Sequence, residues 1–391
     1  MIKSDSTRIS QNTISPIRIG ILGGGARSAV GYAHISALRM TGLFHLVGGM
    51  FSRERQSNIQ SAQSYGVAPS GITESLEEFM EWAQENSIEL IIVLTPTNQH
   101  FTQLKLLSTL NIPVVVEKAL ATSFEQGYEL EETYKKRKIP NFVIFNYLGY
   151  PMLREVQNSV KTWHNQNIKS IRLTMPQDTF IRLNKEGIFT NPQDWRLKDY
   201  RISTISLDLG VHLYSILQYL LGKDIKFQEL YFRNSNLGRI KGLVDDVCVI
   251  GKLSSGTTID MWFSKVALGH KNGLSVRING ENEAFDWNQE FPDQITRADS
   301  SGALHVLRRG DSSLLVANQP RYTRFKGGHP AGFVEALANY YEDIAQSLTA
   351  IRLNRSTLTT SEFAAYSFNE ANYGLKFFEE ISPSNKSSIY I

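Results

Sequence analysis

Three successive glycines after a run of aliphatic residues constrain this chain more than any other feature. Residues 17–28 read IRIGILGGGARS. Ile17, Ile19, Ile21 and Leu22 have the pattern of a short buried strand. Gly23, Gly24 and Gly25 follow, then Ala26, Arg27 and Ser28. Glycine has no Cβ, so the backbone there can turn sharply and lie close against a ligand. A helix that starts just beyond aims free N–H groups and its positive dipole end at an anion. Gly23-x-Gly25-x-x-Ser28 is close to the fingerprint that seats a dinucleotide pyrophosphate. Glycine clusters also end strands in ordinary turns, so the segments that follow decide between the two readings.

Those segments alternate. Helical spacing covers 29–40, a strand Phe44–Met50, and a helix 54–65. A short strand is expected at 71–72. A helix over 75–86 opens on the capping-box-like Thr73-Glu74-Ser75-Leu76-Glu77. Leu90–Leu94 is wholly apolar, as in a parallel strand buried on both faces. A polar loop at 95–100, a helix over 101–110 and a strand at 114–116 complete the pattern. Strand–helix alternation from 17 to about 144 predicts a Rossmann-type, doubly wound parallel sheet. Such sheets bind ligands beyond the carboxyl ends of their strands. Thr95-Pro96-Thr97-Asn98-Gln99-His100 and Glu117-Lys118 both fall there. Two charged residues directly after an apolar strand form either a surface ion pair or a lysine set beside a nicotinamide. Loss of water at the second location would lower the lysine pKa toward a useful proton-transfer range. At the end of the second strand, Phe51, Ser52 and Arg53 stand where an acidic residue would hold the ribose hydroxyls of NAD. No carboxylate there repels a 2′-phosphate, and Arg53 can pair with one, which leans toward NADP. A solvated Arg53 at a helix start is the other reading.

A chain of 391 residues exceeds one compact domain. We expect a flexible tail over 1–16, a dinucleotide-binding domain over 17–146, an α+β substrate domain over 147–381, and a loose tail over 382–391. Asn146 and Tyr147 follow an apolar strand at the junction. A helix over 151–165 precedes a strand over 168–175 that ends in Gln177 and Asp178. Residues 180–197 lack periodicity and read as a loop over the site. Trp195 in that loop either covers the ligand or packs as a core residue. Asp208 and His212 are four apart and share a helix face, next to a buried stripe of Leu213, Ile216, Leu217, Leu220 and Leu221 that ends at Gly222. Such a pair is a cap and a core histidine, or, with Lys118 as third member, a catalytic group. Strands at 227–233, 247–253, 257–265, 274–280 and 283–287 predict a large, mostly antiparallel sheet. One of its faces would be covered by helices and the other free for self-association. His270 lies between two strands, in a plain hairpin loop or reaching toward substrate. Residues 300–309 read as irregular, 333–348 as a helix behind Gly328-His329-Pro330, and 361–378 as the last helix.

The net charge of +3 is too small to point to nucleic acid or a membrane surface. The basic run Lys135-Lys136-Arg137-Lys138 closes a helix. Cys248 is the only cysteine, which excludes an intrachain disulfide and a cysteine-based metal site; in the run VDDVCVI it reads as a core filler. No metal site is expected. No segment is apolar enough to span a bilayer, and 1–16 lacks a signal-peptide core, so a cytoplasmic protein is expected.

The order and spacing of these motifs bring in a resemblance. The glycine loop, residues 95–100, Glu117-Lys118 and Asp208-Leu209-Gly210-Val211-His212 resemble the glucose–fructose oxidoreductase / inositol dehydrogenase / MocA family. Those are NAD(P)-dependent sugar and polyol dehydrogenases. Asn146-Tyr147-Leu148-Gly149-Tyr150-Pro151-Met152, Gln193-Asp194-Trp195-Arg196 and Gly328-His329-Pro330 are similar to its longer subgroup. The resemblance runs from about residue 17 to 379. It implies hydride transfer between NAD or NADP and a secondary alcohol of a sugar, an inositol or a nucleotide-linked sugar, with Lys118, Asp208 and His212 as the catalytic group. His212 is the expected base because its ordinary pKa is near neutrality. Lys118 positions and polarises, or is itself the base, and Asp208 orients them. Cofactor contacts are expected from Gly23, Gly24, Gly25, Ala26, Arg27, Ser28, Ser52, Arg53, Thr95, Pro96, Asn98, His100, Glu117 and Asn146. Substrate contacts are expected from Lys118, Tyr147, Asp178, Trp195, Asp208, His212 and His270. A homodimer or homotetramer through the C-terminal sheet is implied. Three departures stand out: Ala119 in place of proline, the bulky ISTISL at 202–207 near the site, and Phe51 in place of an acid. Relatives of this kind also include glycosidases that hold NAD permanently and non-catalytic sensors.

Overall fold

In a computed structural model of the chain, residues 15–163, 167–189, 192–352 and 365–382 are described. The aliphatic runs lie side by side. β1 (Ile17–Gly23) pairs in parallel with β2 (Phe44–Met50) on one side and β3 (Leu90–Leu94) on the other. β4 (Val114–Glu117) and β5 (Asn141–Ile144) continue the sheet in the order β2-β1-β3-β4-β5. Every residue of β3 is buried, as a strand covered on both faces requires. The connections are α1 (Ala29–Thr41), α2 (Arg55–Ser64), α3 (Leu76–Glu85), α4 (Thr97–Leu107) and α5 (Phe124–Arg137). Strand order reverses beside β1, so the carboxyl ends of β1 and β3 open the crevice of a doubly wound sheet.

Local chemistry fixes the turn at that crevice. Gly23 and Gly24 have φ of +87° and +68°, a region that side chains disfavour. A Cβ on Gly23 would lie 2.8 Å from the Leu94 carbonyl carbon. Ser28 is the N-cap of α1 and accepts from the Gly31 amide. A Cβ on Gly31 would lie 1.9 Å from the Gly24 oxygen. Gly31, three residues beyond Ser28, therefore supplies the close approach of helix to loop. The Tyr65 hydroxyl donates to Gly24 O at 2.8 Å, and the Ala26 amide donates to Ser61 Oγ at 2.9 Å.

The second sheet has eight strands in the order β13-β12-β11-β10-β6-β9-β8-β7. They are β6 (Ile168–Pro176), β7 (Phe227–Ser235), β8 (Asp246–Leu253), β9 (Thr258–Ser264), β10 (Ser275–Gly280), β11 (Ala284–Asn288), β12 (Gln294–Ala298) and β13 (Leu304–Arg308). The β6–β9 pair is parallel and the others antiparallel. The helices of this half are α6 (Pro151–Lys161), α7 (Val211–Leu221), α8 (Phe333–Arg352) and α9 (Phe368–Glu380). α8 packs on α1 and α9 on α5. Tyr366 bridges to Val143 of β5, and the Tyr340 hydroxyl donates to the Val143 oxygen. The end of the chain thus returns to the parallel sheet.

Several expectations need correction. Residues 69–71 form a 3₁₀ turn, and Ile72 makes only a single bridge to Gly49, because Pro69 leaves too little extended chain for a strand. The polar loop at 95–100 is shorter: α4 begins at Thr97 directly after Pro96. The segment 300–309 is not irregular; it contributes β13, whose alternating apolar residues face solvent at the sheet edge. The last helix starts at Phe368, where Ser367 and Glu370 form a capping box, while 361–364 lie outside the described residues. The helix expected over 151–165 ends at Lys161. A π turn at Ser206–Gly210 precedes α7, so Asp208 and His212 sit on either side of a change in helical pitch. Cys248 is half-buried beside Arg233 rather than in the core, since the register of β8 turns it outward with Ile250 and Lys252. Ile202, Ile205 and Leu207 pack in the core, so the bulk at 202–207 does not narrow the site. The tails 1–14 and 383–391 lie outside the described residues.

The collision at Gly31 gives a direct test. Gly31→Ala is expected to cost about 1–3 kcal/mol in urea unfolding, whereas Gly42→Ala, with open space around its Cβ, is expected to show only the strain of its positive φ.

Candidate active site

Two connected hollows meet between the sheets. The larger, a cleft of about 680 Å³, runs along the carboxyl ends of β1, β2 and β3 and is lined by the glycine loop and the start of α1. The smaller, about 270 Å³, lies between β4, the π turn with α7, and the ends of β6 and β9. Val30, Glu117, Lys118, Arg196 and Asp208 line both. Ligands bridging the two would meet at these five side chains.

Asp208 is the hub. Its Oδ1 accepts from Lys118 Nζ at 2.8 Å and its Oδ2 from Lys265 Nζ at 2.7 Å. Lys118 Nζ also donates to Asp208 O at 2.6 Å, and Arg196 Nε stands 3.5 Å from Oδ2. Burial alone would raise the Asp208 carboxyl pKa. The charges of Lys118, Lys265 and Arg196 outweigh burial and hold it well below the usual carboxylate range. Burial lowers the Lys265 pKa, opposed by Asp208. The Lys118–Ala119 peptide is cis, with the side chain of Lys118 directed to Asp208.

His212 is buried and its Nδ1 has no partner. Its ring meets the edge of Tyr147 at 4.6 Å between centroids and lies 6.1 Å from Phe145. Burial first, then the Lys118 charge, push its pKa well below 6.5, so the imidazole is neutral near pH 7. Burial raises the Tyr147 pKa, which keeps the phenol protonated; its oxygen accepts from Asn272 Nδ2 at 3.0 Å. Glu117 is held by His34 Nε2 at 2.9 Å, and His34 Nδ1 faces the Tyr341 hydroxyl at 2.6 Å. The Asn146 amide lines the smaller cavity with its Nδ2 buried and unpartnered.

The expected site residues divide. Gly23, Gly24, Arg27, Ser28, Ser52, Arg53, Thr95, Pro96, Glu117, Lys118, Trp195 and Asp208 line the cleft. Asn146, Tyr147 and His212 line the smaller cavity. Gly25 faces Phe51 and Ser61, and the Ala26 amide is spent on Ser61. Asn98 is exposed on α4 and lines neither hollow. His100 is fully buried between the carbonyls of Ala119 and Thr95, at 2.8 and 2.7 Å; it ties two loops together instead of facing the cleft. Asp178 is buried against Lys271 at 3.1 Å and Arg182 at 3.2 Å. His270 is exposed beside Trp262. Arg196 lines both hollows. Sequence reasoning missed Lys265 and Gln103, and named Gln99 and Gln177 only as loop and strand-end residues. Lys265 directly follows the alternating strand β9, where a charged residue is ordinary, so the linear pattern carried no signal for it. Among the described residues no cluster of three or more His, Cys, Asp or Glu side chains can hold a metal ion, and no helix is long and apolar enough to cross a membrane.

Comparison with known proteins decides the family. Residues 17–145 match the family model "Oxidoreductase family, NAD-binding Rossmann fold", and residues 167–286 match the GFO/IDH/MocA C-terminal domain. The chain belongs to the GFO/IDH/MocA oxidoreductase family. An uncharacterized oxidoreductase, YfiI, of Bacillus subtilis is 26% identical over 343 residues, covering 86% of each chain. An inositol dehydrogenase homolog from Azotobacter vinelandii, solved with NADH and myo-inositol, superposes with a TM-score of 0.86 at 22% identity, covering 95% of this chain and 96% of that one. A levoglucosan dehydrogenase solved with NADH and levoglucosan gives 0.78 at 18% identity, covering 95% and 97%. These likenesses establish the fold and an NAD-binding oxidoreductase family.

The neutral His212 has a measurable consequence. Its folded pKa is depressed, so below about pH 6.5 the unfolded chain gains a proton that the folded chain does not. Through this residue, stability therefore falls as pH drops from 7.5 to 5.5. The Asp208 contribution, lost only below about pH 4, stays outside that window. In denaturant unfolding, His212→Gln is expected to lose less stability over the same interval than the unsubstituted chain.

Proposed function

We propose that the chain is an NAD(P)-dependent dehydrogenase that oxidises a secondary alcohol of a polyhydroxylated substrate, or runs the reverse reduction. The observation that carries this reading is the meeting of a buried neutral histidine, a lysine and an aspartate where the glycine-loop cleft joins the smaller cavity. The residues fit a dinucleotide: Gly23 leaves no room for a Cβ, α1 starts at the cleft, and the Asn146 amide has an unused buried donor. Gly23, Gly24, Arg27 and Ser28 would hold its pyrophosphate, and Thr95, Pro96, Glu117 and Asn146 its nicotinamide side. When bound, the nicotinamide supplies the carbon that accepts or returns the hydride.

The chain's own residues handle the proton and the geometry. Lys118 donates to the substrate oxygen and fixes it beside His212. The neutral imidazole of His212 accepts the hydroxyl proton as the carbinol C–H bond is broken, and it returns that proton in reduction. Asp208 holds Lys118 in place and remains ionised throughout. Tyr147 packs against His212 and sets its plane. At the adenosine end, Glu54 spends its carboxylate on capping α2, which leaves Ser52 and Arg53 facing the cleft and favours NADP over NAD. The exposed face of the eight-stranded sheet, with Tyr231, Ile250, Leu304 and Val306, suits a homodimer or homotetramer contact.

Two measurements test this reading. Lys118→Ala and His212→Ala are each expected to lower turnover of any accepted polyol by about 10²–10⁴-fold while binding of NADH or NADPH, followed by fluorescence, persists; full activity in both variants would contradict the assignment. NADPH is expected to bind more tightly than NADH, and Arg53→Ala to remove that difference; equal affinities would contradict the NADP preference.

A further inference from the structure

Lys265 is a buried cation that hydride transfer by Lys118, Asp208 and His212 does not require. It leaves β9 at its carboxyl end, as Lys118 leaves β4. Its Nζ donates to Asp208 Oδ2 at 2.7 Å and to Gln177 Oε1 at 2.9 Å. Its side chain is 8% exposed and lines the smaller cavity. An ammonium has three N–H donors. Lys265 spends two, and Lys118 spends two on Asp208. Among the described residues, one N–H of each remains without a protein acceptor, beside a cavity of about 270 Å³.

The charges around that cavity do not cancel. Lys118, Lys265 and Arg196 face Glu117 and Asp208, which leaves one surplus positive charge. The two imidazoles cannot offset it, because a histidine side chain carries no negative charge. Of the further buried carboxylates, Asp178 is taken by Lys271 and Arg182, Asp246 by Arg233, and Asp245 by the Leu237 and Gly238 amides. Lys118 and Lys265 are 16% and 8% exposed and Arg196 29%, so a ligand that fills the cavity strips water from the surplus charge, which is costly unless something pairs with it. A ligand with one negative charge meets that need, and a neutral polyol does not.

We propose that the substrate is a sugar acid, a polyhydroxylated monocarboxylate, and that Lys265 is the residue that receives its carboxylate. The inference rests on the dehydrogenase reading above and names its substrate class. A single surplus charge matches a carboxylate better than a doubly charged phosphate monoester. Lys265 acts on binding and orientation. The bond changes at the carbinol are those already described, and the carboxylate is unchanged by the reaction.

The experiment pairs acids with their neutral counterparts on the enzyme loaded with reduced or oxidised cofactor. D-glucuronate with D-glucose, D-galacturonate with D-galactose, and D-gluconate with D-glucitol are compared by nicotinamide absorbance. Binding of each acid to the NADH or NADPH complex is followed by calorimetry. We expect at least one acid to bind and to exceed its neutral partner in kcat/KM. Lys265→Met is expected to lower that acid-to-neutral ratio about thirtyfold or more, mainly through KM, with cofactor fluorescence titration reporting that the variant is folded. Gln177→Leu, which frees Lys265 from one partner but keeps its charge, is expected to retain the acid preference. Phosphorylated sugars preferred over the acids would overturn the monocarboxylate assignment. Neutral polyols preferred by the parent enzyme, an unchanged ratio in Lys265→Met, or no acid bound to a cofactor-loaded enzyme would overturn the inference and leave the dehydrogenase reading intact. Failure to bind either nicotinamide cofactor would instead overturn that reading.

Discussion

The site depends on one carboxylate. Asp208 is gripped through one oxygen by Lys118, from the parallel sheet, and through the other by Lys265, from the antiparallel one. This buried contact joins the ends of the two sheets. A buried ion pair adds little net stability compared with an apolar replacement, but removing one partner leaves a charge stranded, at about 3–5 kcal/mol. The arrangement therefore fixes geometry more than it adds stability. It aligns the end of β4 with the π turn before α7, and so sets Lys118 beside His212.

Burial then determines chemistry. The same exclusion of water that makes the Asp208 contacts strong keeps His212 uncharged and Tyr147 protonated. A neutral imidazole with an open nitrogen accepts a proton, and a phenol packed on its edge fixes its plane. Asp208, held ionised by its cations, does not compete for that proton. In the function proposed here, burial and charge assign the base to His212 and the positioning role to Lys118.

Much of this was legible in the sequence. The parallel sheet, the glycine turn and Lys118 follow from apolar runs and from polar residues placed just after them, and Asp208 and His212 from their four-residue spacing on one helix face together with the family resemblance. What was not legible arises from long-range contacts. His100 has the spacing of a ligand-loop residue, but its ring nitrogens face the backbone oxygens of Thr95 and of Ala119, just beyond the next strand. Gly31 gives no sign in the linear motif that it, rather than Ser28, lies against the glycine loop. β13 has weak alternation because its apolar residues face outward at an edge, where burial cannot impose a pattern. Lys265 was hidden among antiparallel strands, where a charged residue at a strand end is ordinary until the partner strand and cavity are known.

The most direct measurement is a crystal structure of the protein grown with NADH or NADPH. The account requires the pyrophosphate over Gly23 and Gly24 at the start of α1, and the nicotinamide ring at the junction lined by Glu117, Lys118 and Asp208, facing His212. A dinucleotide bound in the reverse direction, or a nicotinamide ring remote from Lys118 and His212, would contradict it.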